Sequence, residues 1–153
     1  MSRAKTPVRV AWRLRRATER DWPAILALQS AENRPHRQDS RVLDYIIALA
    51  GRELIGCVAG RCEGGTGYIY GLVVATRWRR RGIGHTLTNA CLSHLRRSKA
   101  EAVFALSMFW NLGFFQKHEF VLVKRGSFPD LVALHGDFSA EWGRHSALIR
   151  ARL

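Results

Sequence analysis

The stretch from Gly67 to Lys99 limits the fold more than any other, because its hydrophobic period changes once, across a basic loop. Tyr68 to Val74 is aromatic and β-branched without a charge, the composition of a buried strand. From Ile83 the apolar positions fall on one helical face, Ile83, Leu87, Ala90, Cys91 and Leu95, opposite Asn89, Ser93 and Arg96. Between these segments lies Arg77-Trp-Arg-Arg-Arg-Gly-Ile-Gly84. A helix start with free N–H groups and two glycines attracts an anion and lets it approach the backbone. Arg79, Arg80, Arg81, Gly82 and Gly84 are therefore candidate phosphate ligands.

Spacing separates the phosphate-binding designs that could use such a loop. A dinucleotide fingerprint needs its first glycine almost directly after the strand and a third glycine further on, whereas Val74 and Gly82 are separated by seven residues and Leu87 stands in the third place. No Gly-Lys-Ser or Gly-Lys-Thr of a P-loop occurs. With Leu72-Val73-Val74 ahead of it, Arg79-x-x-Gly82-x-Gly84 resembles the pyrophosphate-binding motif of the GNAT N-acetyltransferases. The resemblance implies acetyl-CoA as cosubstrate, with Leu72, Val73 and Val74 binding its pantetheine arm through the main chain. Arg80, Arg81, Gly82, Ile83, Gly84 and His85 would surround the pyrophosphate, while Arg79 would stiffen the loop or pair with phosphate. It also implies a mixed α/β (α+β) sheet of GNAT type: largely antiparallel N-terminal strands, a central parallel pair splayed at the acetyl-CoA site, and flanking helices.

At 153 residues the chain suits one domain with its own core, read here as residues 11–153 behind a basic leader at 1–10. The net charge of +13 implies a field that attracts acidic ligands. That charge and five tryptophans make a nucleic-acid-binding module the rival reading, but no helix-turn-helix, zinc-finger or RNP signature accompanies them. Cys57, Cys62 and Cys91 lack Cys-x-x-Cys spacing, and the six histidines include no His-Glu-x-x-His pair, so no metal site is expected. Without a signal-type apolar core or a membrane-length run, the expectation is a cytoplasmic protein.

Taken in order, Ala11 to Arg15 alternates like a half-buried strand, and Thr18-x-x-Asp21 opens a helix carrying Trp22, Ile25 and Leu26. Asn33 to Ser40 reads as a loop or a poorly formed second helix. Asp44–Leu49 and Leu54–Ala59 flank Gly51-Arg52 as a hairpin, and Glu63 to Gly67 turns the chain again. Cys57 and Cys62, five apart, should face opposite sides. Ala102 to Leu106 should run parallel to the central strand, since a helix joins them. A loop and short helix follow over Met108 to His118, with His118 on the surface, then strands at Phe120–Lys124 and Ser146–Leu153.

Phe114-Phe-Gln-Lys-His-Glu-Phe120 resembles the aromatic segment that precedes the family's penultimate strand. With Phe104-Ala-Leu106 and Arg125-x-x-Phe-Pro129, it is most similar to amino-acid acetyltransferases of the N-acetylglutamate synthase type. That likeness adds Asn111 and Phe115 to the coenzyme-binding residues. Three positions depart from the family pattern: Tyr68 stands where a general-base glutamate is common, Phe115 where a tyrosine protonates the leaving thiolate, and Glu119 where glycine is common. Tyr68 and Glu119 are the candidate catalytic residues, acting through water. An α-amine, with a reference pKa near about 8, needs less help to lose its proton than a lysine near about 10.4. The expected reaction is acetyl transfer to the α-amine of a small amino-acid-like molecule. A catalytically inactive acetyl-CoA sensor is the other alternative, and homodimerisation stays open.

Overall fold

The computed structural model describes residues 11–34, 40–124 and 146–153. The leader at 1–10, most of the Asn33–Ser40 segment and the Arg125–Pro129 motif lie outside the described residues. The order is β1 (Arg13–Arg16), α1 (Trp22–Ala31), β2 (Tyr45–Ala50), β3 (Glu53–Glu63), β4 (Thr66–Val74), α2 (Ile83–Arg97), β5 (Ala102–Met108), α3 (Leu112–Gln116), β6 (Val121–Leu122) and β7 (Ser146–Arg152). One sheet takes them in the order β1-β2-β3-β4-β5-β7-β6. Every neighbouring pair is antiparallel except β4 and β5, which the α2 crossover makes parallel.

Each face of the sheet buries its own core. On one face, Ile83, Leu87, Cys91, Leu92 and Leu95 of α2 pack on Ile46, Ile55, Val58 and Ile69. Each such leucine, isoleucine or valine contributes about 1.5–3 kcal/mol when fully buried. On the other face, Ile25 and Leu28 of α1 cover Tyr45, Ile47, Cys57, Ala59, Tyr68 and Tyr70. Cys57 and Cys62 do project to opposite faces, one into each cluster. Among the described residues no helix is long and apolar enough to cross a membrane.

The start of α1 is held as its sequence suggests. Asp21 accepts the Thr18 backbone N–H at 2.7 Å and the Thr18 hydroxyl at 3.2 Å, while Arg15 grips the same carboxylate with two nitrogens at 2.7 and 2.9 Å. The Arg15 hydrogen bonds, with those from Thr18, pull the Asp21 carboxyl down to about 2. Two strand expectations shift. β1 begins at Arg13, not Ala11, because pairing with β2 sets its length, Arg13 opposite Leu49 through Arg16 opposite Ile46. The strand expected over Phe120–Lys124 shrinks to Val121–Leu122. β7 inserts beside β5 over seven residue pairs and leaves β6 as a short outer edge.

Candidate active site

β4 and β5 are paired only at Thr66–Ala102, Gly67–Val103 and Tyr68–Phe104. Beyond Tyr68, β4 continues along β3 and β5 continues along β7, so the two strands diverge. Backbone groups on the inner edges of the gap have no ladder partner, so they are available to other hydrogen-bonding groups. The gap opens into a cavity of about 850 Å³, near the upper end of the roughly 300–1,000 Å³ typical of small-molecule sites.

A bulge in β4 sets the walls of this cavity. Tyr70 pairs with Ala59 and Val73 with Cys57, so Gly71 and Leu72 together stand opposite Val58. The additional residue reverses the alternation: Tyr68, Tyr70 and then Val73 face the α1 side, whereas Ile69, Leu72 and Val74 face the α2 side. Gly71 has φ +63°, and a Cβ there would lie 2.7 Å from the Tyr45 hydroxyl. An isolated glycine within a strand pattern is a bulge signal, and Gly71 is the residue that carries it in this sequence.

At the mouth of the cavity, the loop before α2 takes two left-handed residues, Arg80 at φ +62° and Gly82 at φ +80°. Nothing lies within 4 Å of a Cβ placed on Gly82, so the loop leaves space there that a ligand can fill. Arg79 braces the loop. It donates to the Val74 carbonyl at 3.1 Å and to Glu32 at 2.9 Å, and Glu32 also accepts the Thr76 N–H and hydroxyl, both at 2.8 Å. These contacts, led by Thr76, hold the Glu32 carboxyl below its ordinary range.

The cavity is lined by Tyr68, Leu72, Val73, Val74, Arg79, Arg80, Gly82, Ile83, Gly84, His85, Asn111 and Phe115. Two expected site residues are not brought there. Arg81 turns back, its guanidinium 4.6 Å from the centre of the Trp78 ring. Glu119 is exposed on the turn after α3, with φ +65°, and lines no part of the cavity. His118 is half-buried, not superficial, because its ring shares a 2.8 Å hydrogen bond with His85 and a 3.1 Å one with Asn89. Burial and the His85 imidazole lower its pKa.

On the α1 side, the Tyr70 hydroxyl donates to Asp44 at 2.7 Å, and Arg61 clamps the same carboxylate at 2.8 and 2.9 Å. Burial and the Asp44 carboxylate push the Tyr70 hydroxyl far above its usual range, so it serves as a donor. Gln29 donates to the Tyr45 hydroxyl at 3.0 Å, and Gln29 and Arg34 both line the cavity. Gln29 went unnoticed in the sequence, where the available signal was an amide on the same helical stripe as Ile25 and Leu28. The thiols of Cys57 and Cys91 are each pushed up to about 12 by burial and do not line the cavity, so neither offers a nucleophile to it.

The Acetyltransferase (GNAT) family model matches residues 11–120, most of the strand, loop and helix framework just described. The chain belongs to the GNAT acetyltransferase family. No curated protein sequence matches it. Among solved structures, the GNAT fold of this chain is similar to N-acetylglutamate synthase from Neisseria gonorrhoeae complexed with coenzyme A and N-acetyl-glutamate. The TM-score is 0.78 at 23% identity, over 94% of this chain and 35% of that one. It therefore spans about a third of that synthase's length. Rv2747 from Mycobacterium tuberculosis, in complex with CoA and NLQ, gives a TM-score of 0.72 at 22% identity over 92% and 98% of the two chains. Arabidopsis thaliana Naa50, in complex with the bisubstrate analogue CoA-Ac-MVNAL, gives 0.72 at 16% over 94% and 100%. At these identities the likeness establishes the fold and leaves the acceptor to be argued from the site.

Proposed function

We propose that this GNAT domain uses acetyl-CoA to acetylate the α-amine of a small amino-acid-like molecule. The carrying observation is the divergence of β4 from β5 beside the Gly71 bulge, with the Gly82 loop at the mouth of the same cavity. The residues present fit a coenzyme of this kind. The loop is open at Gly82, the diverging strand edges offer amide and carbonyl groups without a ladder partner, and two of the solved neighbours above are complexes with coenzyme A. When bound, the coenzyme supplies an acetyl thioester; the new C–N bond forms as C–S breaks, the amine gives up a proton and the sulfur leaves as thiolate.

The chain's own part in this is mostly positioning, which can supply several orders of magnitude. Leu72, Val73 and Val74 present main-chain groups to the pantetheine arm, and the loop from Arg80 to His85 cradles the phosphates. Arg79, already paired with Glu32 and Val74, stiffens the loop. On the α1 side, the buried Tyr68 ring is stacked on Tyr70, at 5.9 Å between centroids, and borders the space for the amine. Glu119 lies outside the cavity, so water-mediated assistance falls to Tyr68 alone. A wall with so little basic character suits the less basic of the two amines, which supports an α-amine over a lysine side chain.

The test is a screen of free amino acids, a short peptide N-terminus and an Nα-blocked lysine, with thiol release as readout. Turnover of α-amino acids that rises with pH through the amine's own pKa is expected. Efficient acetylation of the lysine side chain with none of free amino acids would refute the acceptor assignment. Coenzyme binding without turnover of any amine would leave the sensor reading standing.

A further inference from the structure

We propose that Arg34 is the residue that selects the acceptor, by receiving its carboxylate at the α1 end of the cavity. This rests on the α-amine reading above and adds the group that would distinguish an amino acid from any other primary amine.

Arg34 lines the cavity and is half-buried, which removes water from a guanidinium that cannot shed its charge. Among the described residues no hydrogen bond or ion pair accounts for that charge. The nearby acid, Glu32, is consumed: Thr76 takes it with two hydrogen bonds and Arg79 with a third. Burial, with the like charge of the Arg79 guanidinium, lowers the Arg34 pKa, with Glu32 opposing. A half-buried cation facing a cavity, next to another cation and with its neighbouring acid already engaged, is a site awaiting an anion.

Position favours the acceptor over the coenzyme as the source of that anion. The Arg34 backbone N–H is fixed to the Gln29 carbonyl at 2.7 Å, and the Gln29 side chain meets Tyr45, which abuts the Gly71 bulge on the α1 face. The phosphate loop reaches this corner through Arg79, whose guanidinium is already held by Glu32 and the Val74 carbonyl, while the helix it opens, α2, covers the opposite face of the sheet. Gln29 strengthens the case, because its Oε1 is buried without a partner at the cavity wall. Whichever way the amide is turned, only one of its ends can meet Tyr45, and the other remains for a bound polar group.

The experiment compares the full chain with Arg34→Met, which keeps an unbranched apolar stem and removes the charge, and with Arg34→Lys. Initial rates are taken for L-glutamate, L-glutamine and L-methionine, each beside its own α-carboxamide, and the dissociation constant of acetyl-CoA is measured by calorimetry. A charge-assisted contact of ordinary strength predicts that the acid-over-amide preference in kcat/KM falls about 10- to 100-fold in Arg34→Met, through KM for the acid. Arg34→Lys should recover part of it. Acetyl-CoA affinity should stay within about twofold. Since an unpaired, partly desolvated charge costs stability, Arg34→Met should unfold at the same temperature or higher, the reverse of what a structural arginine would show. An unchanged acid-to-amide ratio overturns the proposal while leaving the α-amine reading intact. So does a loss confined to acetyl-CoA affinity, which would assign Arg34 to a coenzyme phosphate. A wild-type chain that acetylates lysine side chains and no α-amino compound overturns both.

Discussion

Replacing Gly71 by alanine tests whether the β4 bulge is the element on which the site depends. The backbone there has φ +63°, a region that costs an L residue about 1–2 kcal/mol. The new methyl would also stand 2.7 Å from the Tyr45 hydroxyl and 3.2 and 3.3 Å from Cε1 and Cζ of the same ring. Tyr45 has little room to yield. It is fully buried, bonded to Gln29, and set against the rings of Trp22 and Tyr70 at 5.9 Å each. Overpacking of this kind costs a further 1–3 kcal/mol or so, giving about 2–5 kcal/mol in all. A loss of about 3 kcal/mol corresponds to a Tm drop of roughly 6–12 °C in a domain of this size. Urea unfolding followed by tryptophan fluorescence measures it. Tyr45→Phe in the Gly71→Ala background removes the closest contact, so the double variant should be about 1 kcal/mol better than the sum of the singles. A Gly71→Ala cost below about 1 kcal/mol, or singles that simply add, would refute this account of the bulge. Any chain that escapes the strain by slipping one residue turns Leu72, Val73 and Val74 to the wrong faces, so acetyl-CoA binding should fall along with stability.

Acetyl-CoA at about one hundred times its dissociation constant should stabilise the chain by roughly 2.7 kcal/mol, and a thermal titration without a shift at both low and physiological salt would contradict coenzyme binding. Gly82→Val should lose that response while remaining folded. Its Cβ meets no protein atom within 4 Å, which leaves a cost of about 1–2 kcal/mol for the left-handed backbone, and parental binding would remove the loop's assigned role. Asp21, lowered from 3.8 to about 2, contributes stability that is fully present above pH 3.8 and lost as pH falls through 2. Denaturant midpoints of the parent and Asp21→Asn should therefore converge across that window, and a constant separation down to pH 2 would argue against the Arg15–Asp21 pair.

The strand, loop and helix proposed here to hold the coenzyme were legible in the sequence because they are local. A strand, a glycine-punctuated loop and an amphipathic helix are contiguous from Thr66 to Arg97, and their periodicity and spacing do not depend on the remainder of the chain. The parallel relation of β4 and β5 followed as well, since a helical crossover permits little else. The acceptor half became visible only in three dimensions, because its groups come from α1, the turn before β2, β3 and β4. Nothing in the linear order brings Arg34 or Gln29 to Gly71, or Asp44 to Tyr70. Glu119 failed for a related reason: proximity in sequence to an aromatic motif says nothing about which way a turn after a five-residue helix projects. Composition set the sign of the field. Which cation would be left without a counter-charge was decided by tertiary packing, which gave Glu32 to Thr76 and Arg79 and left Arg34 facing the cavity.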